Sequence, residues 1–571
     1  MDQNVVNNYC KFLEIRGLKL NIITKDNISE PVYRCTACVN DSPVIEVSAA
    51  GFTAGEARCR TILRLAADLE FSESLSRYYM GASAASELIM PFEKMIDLNG
   101  PDEIFNREFN ELYDLENWPA EAFAEQMTWD TGKIRSYIFT NDTNGKKVPV
   151  SASWLKTVFG FDCICAADSQ EKAAELSCFR ECRRYISNEL LISPNPLNPV
   201  PEKFLPEEFF RLSDWCDSHN FKIRIYDASM NGRYPSAVAA ALFRQKDQKV
   251  RFCVGMAETT AESVKEALLE LFETSVECDH AFHEITFNYS SALTSSNITR
   301  IALNISGYLP ADLFACNDCA SEESCYSSHH DGDAVNTDRE IILENVIRRI
   351  DEDSELDSDG YTLTFDRGGL FFCWKIRPGY SEISDASLFD TAMENTGNIY
   401  RDFILHLGER EEDYSEFPLS MEDNNIMSDT GVADMLGIYT RSTSCWHSML
   451  TGELCALTEM HLGNHESALN HIESYLEDIS FQNPDFIDIR KLNFYRCCRD
   501  ILSIKVDNDE FDFRTMLISL YGKDIFDMAE SACNGSSMYI YKLNGDYLYQ
   551  VPEHAEVIKN YEDIRKALAC N

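Results

Sequence analysis

Three long helical patterns, each entered through a Ser, Thr or Asp and each set between strand-like runs, constrain the fold of this 571-residue chain most. The stretch "TAGEARCRTILRLAADLEFSESLSRYYMG" (53–81) carries Ile62, Leu65, Ala66, Leu69 and Leu75 for the apolar stripe of an amphipathic helix. A second helix is expected over 168–191, capped by Asp168 or Ser169, and a third over 259–275, capped by Thr259 or Thr260. Around them, "VYRCTACVN" and "PVIEVSAAG" read as a hairpin, being β-branched and alternating. "KKVPVSASWL" is strand-like, "FKIRIYDASM", "PSAVAAALFRQ" and "KVRFCVGMA" read as three further strands, and "YTLTFDRGGLFFCWKI" as a second hairpin. Strands and long helices in this order predict an α+β fold. Residues 82–135, acidic and aromatic without clear periodicity, read as an insertion.

Beyond residue 395 the pattern turns helical. The expected division is an α+β domain over 1–395, an acidic linker over 396–425 and an all-α domain over 426–571. Within the last, "MLTGELCALTEMHLGNHESALNHIESYLEDI" reads as helix, Gly-Asn turn, helix, with Leu457, Leu462, Leu469 and Tyr475 as core. The hairpin is tetratricopeptide-like, although no clean 34-residue repeat is found.

Asp and Glu outnumber Lys and Arg by 95 to 51, a formal net charge of −44. Such a charge disfavours nucleic acid and anionic membranes as partners. No window approaches 18 consecutive apolar residues, and the N-terminus has no basic segment leading into an apolar run. The 21 cysteines are scattered, as expected for reduced, mostly buried thiols in a cytoplasm.

Against that background "CFRECRRYISNE" (178–189) stands out, with Arg180, Arg183 and Arg184 on one helical face. Three readings are open: an internal ion-pair hub, an anion site, or a protein interface. Elsewhere, "CNDCASEESCYSSHH" offers Cys316, Cys319, Cys325, His329 and His330 as N/S zinc ligands, against free thiols in a loop. "DEDSELDSDGY" imitates a calcium loop at Asp351, Asp353 and Glu355 but lacks its glycine and final glutamate, and so reads as a solvated turn. Cys445, Trp446 and His447 read as a helix start with core packing. No Walker loop, GxSxG, or GxGxxG in strand–turn–helix context is present.

The order of these elements, with "YDASMNGRYPSAVAAALF", "VGMAETTAESVKEALLELFE", "IRPGYSEI" and "LTGELCALTEMHLGNHESAL", resembles the YcaO family, in its long enterobacterial type with a helical C-terminal extension. The resemblance implies an ATP- and Mg²⁺-dependent enzyme that phosphorylates a peptide-backbone amide oxygen for attack by a nucleophile. The outcomes would be heterocyclisation, thioamidation or accessory work in ribosomal-protein methylthiolation. It also implies a peptide or protein partner, and a homodimer or a pairing with another YcaO protein. Magnesium bridging a triphosphate needs clustered carboxylates, which the family supplies as Glu-x-x-Glu pairs on two long helices.

Here the chain departs from the pattern. On the first helix a gapless match puts Leu65 and Asp68 at the glutamate positions, and a shifted register puts Glu70 and Glu73 there. On the second helix Arg180 and Arg183 replace the glutamates, while Arg184 and Tyr185 match the usual Arg-Tyr. Asp168, Gln170 and Lys172 fall where Asn, Arg and Glu are common. Glu270 is kept on the third helix, whose expected basic end reads as Ser275. A guanidinium repels Mg²⁺ and cannot ligate it, at a cost of several kcal/mol even for an effective dielectric constant of about 20. The expected function is therefore a YcaO-like pseudoenzyme that scaffolds, binds peptide or regulates a partner. The alternative is an active enzyme using ATP through Glu70, Glu73 and Glu270, and a third reading is a tetratricopeptide-like adaptor.

Overall fold

The computed structural model describes residues 3–25, 31–42, 44–76, 78, 90–97, 133–276, 278, 281–302, 306–315, 359–383, 418–419, 421, 430–435, 437–441, 444–480, 489–507, 512–535 and 552–569. Three sheets carry its first part. Strands β1 (Leu20–Lys25), β2 (Tyr33–Val39) and β3 (Glu46–Gly51) form an antiparallel meander, the predicted hairpin being β2–β3. A six-stranded sheet runs β4 (Glu93–Asp97), β5 (Lys133–Asn141), β13 (Tyr361–Arg367), β14 (Leu370–Ile376), β7 (Ile164–Ala167), with β6 (Lys147–Ser151) also on β5. A five-stranded sheet is ordered β12 (Tyr308–Pro310), β11 (His283–Thr286), β10 (Lys249–Gly255), β9 (Val238–Arg244), β8 (Phe221–Asp227). Its β11–β12 pair is parallel. Strand β4 lies inside the stretch expected to be irregular; its pairing with β5, some forty residues on, is what makes it a strand.

Helices of ten residues or more are numbered in chain order. In the first part these are α1 (Gln3–Ile15), α2 (Ala54–Phe71), α3 (Gln170–Ile192), α4 (Glu207–Ser218) and α5 (Thr260–Leu271). Each of α2, α3 and α5 starts where the sequence says. Thr53, Ser169 and Thr259 accept from the third backbone N–H of their helices. Helix α2 ends ten residues before the end of its sequence pattern. Ser72 takes a left-handed conformation (φ 55°), and the Asp68 carboxylate draws the chain back by accepting from the Ser74 backbone and hydroxyl, both at 2.6 Å. Strand β9 is buried on both faces, with Ala239 and Ala241 against the α3 side and Val238, Ala240 and Leu242 against the α5 side. Two glycines set the strand-to-helix spacing. A Cβ on Gly51 would strike the Ala57 backbone of α2, and one on Gly255 the Ser263 carbonyl of α5.

The C-terminal part contains α6 (Thr451–Leu462), α7 (His465–Ser480), α8 (Ile489–Val506), α9 (Lys523–Cys533) and α10 (Pro552–Ala569). Helices α6 and α7 form the expected hairpin, closed by Gly463 at φ 78°. Leu457, Tyr475, Cys498 and Ala529 lie in a core of their own, with Leu462 and Leu469 packed against it; Trp446 is buried there in a short 3₁₀ turn. Helix α10 leaves that bundle. Its Val557, Tyr561, Ile564 and Leu568 share the first core with Val6, Tyr9 and Leu13 of α1. No helix among the described residues is long and apolar enough to cross a membrane.

Candidate functional site

A cavity of about 710 Å³ opens between α2, α3 and α5, and Arg180, Arg183, Arg184 and Glu270 all line it. Helix α3 turns its apolar side (Phe179, Cys182, Ile186) into the five-stranded sheet's core. Its arginines face away from that core, towards α5 and the turn before β7. Arg183 pairs with Glu270 on α5 and sits 3.9 Å from Asp162. Arg184, almost wholly buried, pairs with Asp162 and donates to the Phe159 and Ser381 carbonyls. Arg180 donates through Nη1 to the carbonyls of Asp162 (2.8 Å) and Ile164 (2.9 Å). Helix α2 adds two cations, with Arg60 on Glu266 at 2.7 Å and Arg64 on Glu273.

The site is thus a zipper of arginines from α2 and α3 against glutamates of α5 and of the turn that follows it. Its partners on α2 and α5 were legible only as spacing: Arg60 and Arg64 are four apart, and Glu266, Glu270 and Glu273 share one face. Asp162 carries no such signal, because it sits in a turn and reaches α3 through the fold. Burial alone would lower the arginine pKa values, and it pushes Arg184 down to about 9, still charged at neutral pH. At Arg183 Glu270 outweighs burial and raises the pKa. Arg64 is brought down to about 10 by burial, with Arg60 and Arg180 adding like charge. Burial works to raise the Glu266 carboxyl, but Arg60 holds it below its usual range.

The C-terminal end of α5 shows where the missing basic residue went. Arg251 of β10 donates to the carbonyls of Leu271 (3.0 Å), Thr274 (2.8 Å) and Ser275 (2.5 Å), and Arg34 of β2 to Phe272 (2.9 Å). Two strands thus supply the charge that Ser275 does not, and hold α5 in place.

The register of the first helix comes out against Glu70. That residue is fully buried on the opposite side of α2, 3.4 Å from the Tyr9 hydroxyl and 3.5 Å from Arg367, and does not line the cavity. Burial raises its pKa to about 7, although Arg367 pulls the other way. A helix turns 100° per residue, so Glu70 cannot share the face of Arg60 and Arg64. Glu73 starts a short helix, Glu73–Ser76, and its side chain lies outside the description. The gapless match is mixed: Leu65 is core, and Asp68 lines the cavity. Lys172 lines it too, on α3. The candidate zinc ligands Cys316, Cys319, Cys325, His329 and His330, and the acidic turn at Asp351–Glu355, lie outside the described residues. The sixteen cysteines whose side chains are described are free thiols, most of them buried.

Residues 397–569 match the family model of the YcaO cyclodehydratase C-terminal domain. The chain is 22% identical over 543 residues to the ribosomal protein S12 methylthiotransferase accessory factor YcaO of Escherichia coli (strain K12), covering 91% of this chain and 90% of that one. The likeness to YcaO proteins thus runs over nearly the whole chain, with the family model on its C-terminal part. An uncharacterized protein of Haemophilus influenzae is also 22% identical, over 75% of this chain and 72% of its own. Among solved structures, a heterocyclase in complex with substrate and cofactor aligns with a TM-score of 0.42 at 12% identity, covering 66% of this chain and 52% of that one. YcaO from Methanopyrus kandleri bound with AMPPCP and Mg²⁺ aligns at 0.38 and 11% identity, over 67% of this chain and 91% of its own.

The residues of the cavity do not fit the magnesium-bridged triphosphate that the family implies. Glu266, Glu270 and Glu273 are engaged by Arg60, Arg183 and Arg64, and α3 presents Arg180, Arg183 and Arg184 to the cavity alongside Glu175. Among the described residues no group of three or more His, Cys, Asp or Glu side chains is arranged to hold a metal ion. A carboxylate already neutralised by a buried guanidinium attracts a divalent cation far less than a free one.

Proposed function

We propose that this YcaO-like chain takes part in ATP-dependent peptide-backbone modification as a binding or regulatory partner, with a site that no longer handles magnesium–ATP. The observation carrying this is the ion pair between Arg183 and Glu270, which joins α3 to α5 across the place where metal ligands would be needed. The name of the Escherichia coli relative, an accessory factor, accords with a role beside another enzyme. A peptide or protein is the partner this reading calls for, including a second copy of the chain or an active homologue. The free thiols of the described residues accord with a reducing compartment such as the cytoplasm.

The test is calorimetric titration of the purified chain with MgATP, with ADP release followed in parallel. No saturable heat and no ADP are expected. Arg180→Glu with Arg183→Glu, which restores carboxylates on α3, is expected to gain MgATP binding. Saturable binding with phosphate release by the unaltered chain would overturn the reading in favour of an active enzyme.

A further inference from the structure

The cavity arginines are not all spent. Arg60, Arg64, Arg183 and Arg184 each hold a carboxylate, whereas Arg180 has none among the described residues. In a chain with 95 carboxylates and 51 cations, a guanidinium that lines a cavity and pairs with no acid is unexpected. Glu266 feels its charge but is hydrogen-bonded to Arg60. Lys172, further along the same helix and also lining the cavity, likewise forms no ion pair among the described residues. The two residues are eight apart, so their Cα atoms are separated by about 12 Å along α3.

How Arg180 is held matters as much as what it lacks. Both of its hydrogen bonds leave from Nη1, to the Asp162 and Ile164 carbonyls, and fix the plane of the group. Nε and Nη2 make no hydrogen bond among the described residues, and neither is a sealed, unsatisfied atom. These two nitrogens form the side of a guanidinium that grips two oxygens of one carboxylate or phosphate at once. The anchoring has already immobilised the side chain, so a ligand does not have to order it. Nearby Arg64, brought down by burial and by Arg60 and Arg180, reports that positive charge accumulates at this wall.

We infer that the cavity between α2, α3 and α5 takes a small oxyanion, a phosphate or carboxylate group, directly on the Nε–Nη2 edge of Arg180 with no metal ion between them. This rests on the proposed function, since the family's magnesium-bridged arrangement would leave no such edge free. Magnesium works against binding here, because it neutralises the anion and is itself repelled by the arginines.

The experiment is calorimetric titration of the full chain with inorganic pyrophosphate and, separately, with glutarate, first in EDTA and then in excess Mg²⁺. The two ligands distinguish a phosphate from a carboxylate source. Saturable binding of at least one in EDTA is expected, weaker when Mg²⁺ and salt are added. Arg180→Gln is expected to weaken it about tenfold or more, the loss of a charge-assisted bidentate contact, with the native circular dichroism spectrum retained. If Arg180→Gln fails to fold, Arg180→Lys carries the test. It keeps a charge and a donor for the carbonyls but loses the fork, so a clear loss of affinity supports the inference and unchanged affinity overturns it. No binding of either anion in EDTA overturns the inference alone and leaves the proposed function standing. Binding that requires Mg²⁺, together with ADP release from ATP, overturns both.

Discussion

Glu181 and its neighbours Arg180 and Cys182 point in different directions from one helical turn, and Glu181 has the least comfortable environment. It is 4% exposed, and no hydrogen bond reaches its buried Oε1. Burial raises its pKa to about 7, with Arg377 and Lys375 pulling it back only in part. An acid whose folded pKa lies above its unfolded value costs stability once the unfolded chain can ionise. Below the ordinary carboxyl range both states are protonated and nothing is lost. Between that range and pH 7 the unfolded state ionises first and stability falls, by a total of about 3 kcal/mol, levelling off above pH 7. Glu181→Gln removes the penalty without removing a hydrogen bond. Urea unfolding at pH 8 is expected to show the variant more stable by about 2 to 3 kcal/mol, with the gap closing towards pH 5. A gap that is constant with pH would mean that Glu181 is ionised in the folded chain. The arginine cluster itself was visible in the sequence, as was its conflict with a magnesium site. Its partners were not, because Asp162 with the Phe159 carbonyl, Glu270, and the Ser381 carbonyl come from three separate places in the chain.

Among the elements, the starts of α2, α3 and α5 were written in the sequence, since a cap is a local interaction between a Ser or Thr and an N–H three residues on. The end of α2 was not. Apolar spacing continues through Leu75, which is indeed buried, but the left-handed Ser72 and the Asp68 side chain stop the helix first. Glu70 misses the cavity for a different reason: it still belongs to α2, whose rotation carries it to the side of Tyr9 and Arg367. The distance between α5 and its sheet is likewise set by one residue, Gly255. Gly255→Ala puts a methyl group against the Ser263 carbonyl and Ala267, where backbone has to shift. A loss of about 1 to 3 kcal/mol is expected, in the range for overpacking. Because α5 carries Glu266 and Glu270 and leads into Glu273, the shift should also loosen the zipper. Hydrogen exchange is then expected to rise in α5 and in the facing turns of α3, and protection unchanged in both would count against this coupling.

At the scale of the molecule, the last helix packs on the first core and not on that of the bundle it follows in the chain. Helix α10 lies some 460 residues from β4, yet Arg565 and Glu93 form a buried pair, Nη1 to Oε1 at 2.7 Å, with Arg135 2.8 Å from the other oxygen. The helix end is held as well. Arg16 donates to the Ala567 carbonyl at 2.8 Å and Arg367 to that of Leu568, while Glu70 sits 3.5 Å behind Arg367. Glu70, read from sequence as a cofactor contact, therefore helps to hold the C-terminal helix on the first core. No sequence pattern announces such a tie, because a single amphipathic helix does not say which of two cores it will cover. Removing one member of a buried pair leaves a charge with too few partners, which typically costs about 3 to 5 kcal/mol. Arg565→Met keeps the apolar length of the side chain and leaves Glu93 with Arg135 and the Met90 N–H, so the lower end of that range is expected. The damage should be local in a telling way. Hydrogen exchange is expected to quicken in Glu93–Asp97, in Gln3–Ile15 and in α10 itself, while α6 and α8, which share the separate core around Leu457 and Cys498, keep their protection. Equal loss in both regions would show instead that the α+β core and the helical bundle unfold as one unit, with α10 as the element that couples them.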